Sequence, residues 1–107
     1  MYGGIRVKVI NRDTEEISLE SLGINSVAYL KEKTISEIKR YEEQKKLILG
    51  GDVYLLKKNE IIITGDSWYI SNKYVEENNV EYSIKKSLEY VQKYKTRKGI
   101  PIFSLVV

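Results

Sequence analysis

Ile5, Val7 and Val9 alternate with Arg6 and Lys8, the period-two pattern of a strand with one apolar face, and Asn11-Arg12-Asp13 closes it as a turn. Ile17, Leu19, Leu22 and Ile24 follow at irregular spacing, a short strand or a turn of helix. Thr34-Ile35-Ser36-Glu37 carries a helix-start signature, a threonine and a glutamate three residues on that each satisfy the other's free backbone donor. The spacing predicts a first helix over 35–46. Ile35, Ile38, Tyr41 and the stem of Lys45 face inward, and Glu37, Lys39, Arg40, Glu42, Glu43 and Lys46 form the wet side.

Leu47-Ile48-Leu49 enters a strand that Gly50-Gly51 interrupts, the mark of a bulge or a close backbone approach, and Val53 to Leu56 resumes it. Lys57-Lys58-Asn59 supplies a hairpin turn. The return strand, Glu60 to Thr64, carries Ile61-Ile62-Ile63, a run expected of a strand covered on both faces or a central one. After a turn at Gly65-Asp66, Trp68-Tyr69-Ile70 reads as a further short strand. Ser71 to Asn79 reads as loop, and Asn78 with Glu81 forms a second capping pair. Ile84, Leu88, Val91 and Tyr94 recur at helical spacing over 80–96, ended by Gly99 and Pro101. Ile102 to Val107 closes the chain as a strand apolar enough to be internal.

These elements predict a single α+β domain over 1–107, a mostly antiparallel sheet of four or five strands with two helices packed on one face. The 107 residues suffice for a core without staples. Absent cysteine and histidine remove disulfides, Cys/His metal sites and nucleophile–histidine catalysis from consideration. No apolar run approaches a membrane span and the N-terminus has no leader pattern, so a cytoplasmic protein is the expectation. The net charge of +3 permits anionic partners without demanding them.

Candidate chemistry concentrates in the middle of the chain. Asp52, behind two glycines, is either a presented carboxylate or a turn residue that accepts a backbone hydrogen bond. Asp52 and Asp66 stand 14 residues apart on a hairpin, but no third acid is tied to them, so neither catalysis nor a metal site is expected. Trp68 and Tyr69 occupy adjacent strand positions and point to opposite faces. We assign Trp68 to the core with Gly50 and Gly51 as structural residues, and Asp52, Tyr54, Asp66 and Tyr69 to an exposed partner-binding surface. Lys93 to Lys98, interleaved with Tyr90 and Tyr94, suits a nucleic-acid backbone, yet a helix dipole also favours cations at its C-terminal end and covers the same lysines.

Leu49-Gly50-Gly51-Asp52-Val53-Tyr54 and Gly65-Asp66-Ser67-Trp68-Tyr69, with a helix before, a hairpin between and a helix and strand after, resemble a bacterial immunity-protein family of polymorphic toxin systems, immunity protein 40. The resemblance covers roughly residues 20 to 107. It implies a small cytoplasmic partner that binds and blocks a cognate toxin domain, without cofactor or catalytic residues and with no assigned oligomeric state. The alternative from composition is a small basic nucleic-acid-binding module, whose DNA binding weakens steeply with salt. The modest positive charge argues against a nucleic-acid mimic, which would be acidic.

Overall fold

The structure is a computed structural model that describes residues 16–107. The strand expected over Ile5 to Val9 and the turn at Asn11-Arg12-Asp13 lie outside the described residues. In chain order the elements are β1 (Ile17–Ser18), a 3-10 turn (Glu20–Leu22), β2 (Val27–Leu30), α1 (Lys31–Glu43), β3 (Gly50–Lys57), β4 (Glu60–Tyr69), α2 (Asn72–Glu76), α3 (Val80–Lys93) and β5 (Ile100–Val106). The strands form one sheet in the order β1-β2-β5-β3-β4, every neighbouring pair antiparallel. The expected α+β architecture holds, and β5 sits in the interior of the sheet as its apolar run predicts.

The helices depart from expectation at their ends. α1 begins at Lys31, four residues before the expected start, and Thr34 lies inside it. The Thr34 hydroxyl donates to the carbonyls of Leu30 and Tyr29 at 2.9 and 3.1 Å, turning back along the helix instead of capping it. Glu37, expected on the wet side, is buried, and takes Arg40 at 2.7 Å and Lys33 at 3.7 Å as partners. Lys45, expected to turn its stem inward, is exposed and has a φ of 53°. α3 starts with Asn79 as its cap, the side chain accepting from the Tyr82 N–H at 3.0 Å, so the expected Asn78–Glu81 pair is corrected by one position. It ends at Lys93 rather than 96. The single-turn α2 lies within the segment expected to be loop.

The sheet also corrects two strand assignments. Leu47 to Leu49 stays outside β3, which starts at Gly50. The two segments expected on either side of a turn at Gly65-Asp66 form one continuous strand, β4, which lies at the sheet edge among the described residues. An edge position explains why Ile63, in the triple-isoleucine run expected to be covered, is 63% exposed.

Strand alternation feeds two cores. On one face Val53, Trp68 and Phe103 pack with Ile38 of α1 and with Ile84 and Val91 of α3. On the other, Tyr54, Ile61 and Ile102 pack with Ile17, Leu19 and Ala28, and Leu22 and Ile24 add to the cover. The irregular apolar residues 17–24 are thus both of the things they were read as, a two-residue strand and a turn of helix. Their function is to roof one end of the second face.

Candidate functional site

The glycine pair is explained by close approach. Gly50 and Gly51 both keep regular register, opposite Tyr69 and Trp68 on β4 and opposite Val106 and Leu105 on β5. A Cβ on Gly51 would collide with Cη2 of Trp68 and stand 2.6 Å from the Ser104 carbonyl oxygen, and one on Gly50 would collide with the Trp68 carbonyl. The indole therefore lies flat across Gly51. Trp68 is 6% exposed, donates its Nε1–H to the buried Ser87 hydroxyl at 3.0 Å and stacks on Tyr90 with ring centres 4.7 Å apart. Its expected place in the core holds.

The bulge expected at Gly50-Gly51 occurs instead on β4. The β3–β4 register shifts between Asp52 and Tyr54, leaving Thr64, Gly65 and Asp66 opposite Val53 alone. Gly65 there has a φ of 82°, a left-handed conformation that a side chain disfavours. The Thr64 hydroxyl closes the loop, donating to the Val53 carbonyl at 2.6 Å and accepting from the Asp66 N–H at 2.9 Å.

This geometry sends the four expected contact residues to different places. Tyr69 is 79% exposed, in a cross-strand row with Gly50 and Val106, at the end of the second face that residues 17–24 do not cover. Asp52 is half-buried in the next row, between Ser67 and Ser104, on the same face by alternation from Gly51. Tyr54, expected on the outer surface, is only 7% exposed and belongs to the second core; the cover supplied by residues 17–24 corrects that placement. Asp66 is exposed at the bulge, where its Oδ2 accepts the Tyr94 hydroxyl at 2.7 Å. Burial, that hydrogen bond and the Asp66 charge together push the Tyr94 phenol up to about 12, and burial with the same charge raises Tyr90. The structure does not bring the two aspartates into one site, since Asp52 points from the sheet face opposite α3 while Asp66 is tied to the segment leaving it.

The Lys93 to Lys98 segment forms a cluster that its reading as a helix end does not describe. The chain leaves α3 at Lys93, turns extended at Tyr94 and crosses the sheet to Gly99, where a Cβ would stand 2.8 Å from the Leu56 carbonyl oxygen. Three hollows of about 840, 400 and 460 Å³ adjoin this crossing, and all three share Tyr94 and Lys95. Lys31 anchors the crossing through its Nζ, which donates to the Tyr94 carbonyl at 2.6 Å. Its signal in the sequence is the Lys93 to Lys98 run with Tyr90 and Tyr94; of that run only Lys93 lies within the helix.

Among the described residues no group of three or more acidic side chains is placed to hold a metal ion, and no helix is long and apolar enough to cross a membrane. The model of one protein family, Immunity protein 40, matches residues 18–107. No curated protein and no solved structure matches the chain.

Proposed function

Because the chain belongs to the Immunity protein 40 family, we propose that it binds a cognate bacterial toxin domain and neutralises it by occupying the toxin's surface, performing no chemistry of its own. The family match over residues 18–107 is the observation that carries this reading. On this reading the inhibitor meets its toxin in the cytoplasm of the cell that it protects. A pairing of this kind requires a stable scaffold and a complementary patch of roughly 800 Å². Two packed cores supply the first. For the second, we assign Tyr69 and Asp52 at the end of the sheet face beyond the cover of residues 17–24 and Asp66 at the bulge as contact residues, and withdraw Tyr54 because its side chain is inside. Tyrosine suits such a patch, presenting a large apolar body and a polar tip at small entropic cost.

The test is co-expression with the toxin domain encoded beside this chain. Protection of the producing cells and co-purification of the two proteins are expected. Growth arrest despite full expression of folded inhibitor would overturn the reading, as would a wild-type protein that turns over a nuclease or glycosidase substrate alone.

A further inference from the structure

Three of the cations past α3 escape the explanation that ordinarily accounts for basic helix ends. A helix dipole acts within the last turn, and α3 stops at Lys93. Lys95, Arg97 and Lys98 lie beyond it, on the extended crossing, and all three are exposed. Among the described residues none of the three forms an ion pair, whereas on α1 Lys33 and Arg40 share Glu37. Three further cations close the ring. Lys86 and Lys93 line the hollow beside Tyr90 and Tyr94. Lys31, at the first position of α1, adds its charge to the positive end of that helix's dipole, in the hollow that Arg97 and Pro101 also line.

Between these charges the walls are aromatic and aliphatic. Tyr90 and Tyr94 stand with ring centres 6.0 Å apart, and Tyr94 meets Phe103 edge-on at 5.8 Å, so the floor is continuous with the core and rigid. Asp66 is set into the same rim. Its Oδ2 accepts the Tyr94 hydroxyl, the residue is exposed, and Glu89 supplies a second carboxylate. A phosphate backbone, negative at every step, would meet both acids as repulsion. A polypeptide carrying carboxylates with an interspersed donor would meet the lysines as attraction and Asp66 as a hydrogen-bond acceptor.

We propose that the Tyr94–Lys98 crossing is the electrostatic anchor for the toxin, receiving an acidic segment of the toxin's surface in the hollows around Tyr94 and Lys95. This rests on the immunity reading and names the partner's chemistry, a carboxylate-rich protein surface. The anchor steers encounter as well as holding the complex, so association is fast at low salt and slows as ionic strength rises.

The experiment measures binding of the toxin domain encoded beside this chain, by biolayer interferometry at 50 to 500 mM NaCl. The triple variant Lys95→Glu, Arg97→Glu, Lys98→Glu is expected to raise Kd about 100-fold and to flatten the salt dependence. A control triple of equal charge, Lys39→Glu, Lys45→Glu, Lys85→Glu, touches none of the three hollows and is expected to change Kd by less than about threefold. If the reversed triple melts early, the neutral set Lys95→Gln, Arg97→Gln, Lys98→Gln replaces it, with an expected loss of about tenfold. Equal losses in the groove and control triples would overturn the proposal, as would an unchanged Kd in the groove variants while wild type binds. Salt-sensitive binding of a 20-bp DNA duplex by wild type, abolished in the groove triple, would also overturn it and assign the groove to nucleic acid. A wild-type protein with no affinity for the toxin at all would instead bring down the immunity reading beneath it.

Discussion

Trp68 and Tyr69 are neighbours on one strand, yet one is sealed beneath α3 and the other stands almost free. The helix-covered face has no spare room at this point: Gly51 lacks a side chain so that the indole can lie across it, and Ser87 supplies the one hydrogen bond that the buried Nε1 requires. Among the described residues the opposite face is roofed at one end, by residues 17–24, while at the other end, in the row Tyr69, Gly50 and Val106, Tyr69 stands exposed. Strand alternation decides which side chain goes where, but the reach of the cover decides whether it is buried. Tyr54 illustrates this, since it shares the open face with Tyr69 by alternation and is nevertheless inside.

If that contrast is correct, truncating the sealed member should have the largest effect. Trp68→Ala is expected to lose about 3 to 5 kcal/mol in urea unfolding, from the cavity, the lost Tyr90 stack and the orphaned Ser87 hydroxyl. A loss under about 1 kcal/mol would show that the indole is not part of the core. Next is Gly51→Val, expected to cost roughly 3 kcal/mol because the new Cβ meets both the indole and the Ser104 carbonyl. A double variant with Trp68→Ala separates the two contacts. Partial relief of the valine's cost there identifies the indole as the main obstacle, and no relief identifies the backbone.

Tyr69→Ala probes the unroofed side. Its melting should stay within about 0.5 kcal/mol of wild type while toxin binding weakens by about 1 to 2 kcal/mol. A stability loss as large as that of Trp68→Ala would erase the distinction between the faces. The smallest expected effect is a pH response. The folded chain holds the Tyr94 and Tyr29 phenol protons to about pH 12, where the unfolded chain releases them near 10. The folded state therefore binds more protons in that interval, so stability is intact below pH 10 and declines as the pH rises toward 12. Urea midpoints between pH 9 and 12 measure it, and Tyr94→Phe should shrink the slope. An unchanged slope would show that the fold does not hold the Tyr94 phenol protonated through burial and its Asp66 contact.

The strong periodic signals were legible because packing and periodicity agree. Ile84 and Val91 mark α3, and the run at Ile102 marks an interior strand. β2 was missed because Val27 to Leu30 runs into α1 with no breaker, and the helix start was misplaced because Leu30 caps it without any side-chain bond. The glycines told where a side chain cannot stand but not why. Gly50-Gly51 serve the close approach, one of the two roles their pattern allows, and Gly65, expected in a turn between strands, serves the bulge. Of the site, Trp68 and Tyr69 were legible from alternation. Tyr54 was not, because its burial depends on a segment 30 to 37 residues upstream with no regular pattern, and the groove was not, because it arises where a helix stops.

The bulge at Thr64 to Asp66 bears finally on how the protein keeps to itself. β4 is the sheet's outer strand among the described residues, and a long flat outer strand is a template on which another chain can add its own. Three residues against one interrupt the ladder near its middle and bend the strand, and the Thr64 hydroxyl locks that bend. A second copy can match at most half of the strand before its register fails. The same three residues that present Asp66 therefore also limit how far another strand can pair along this edge.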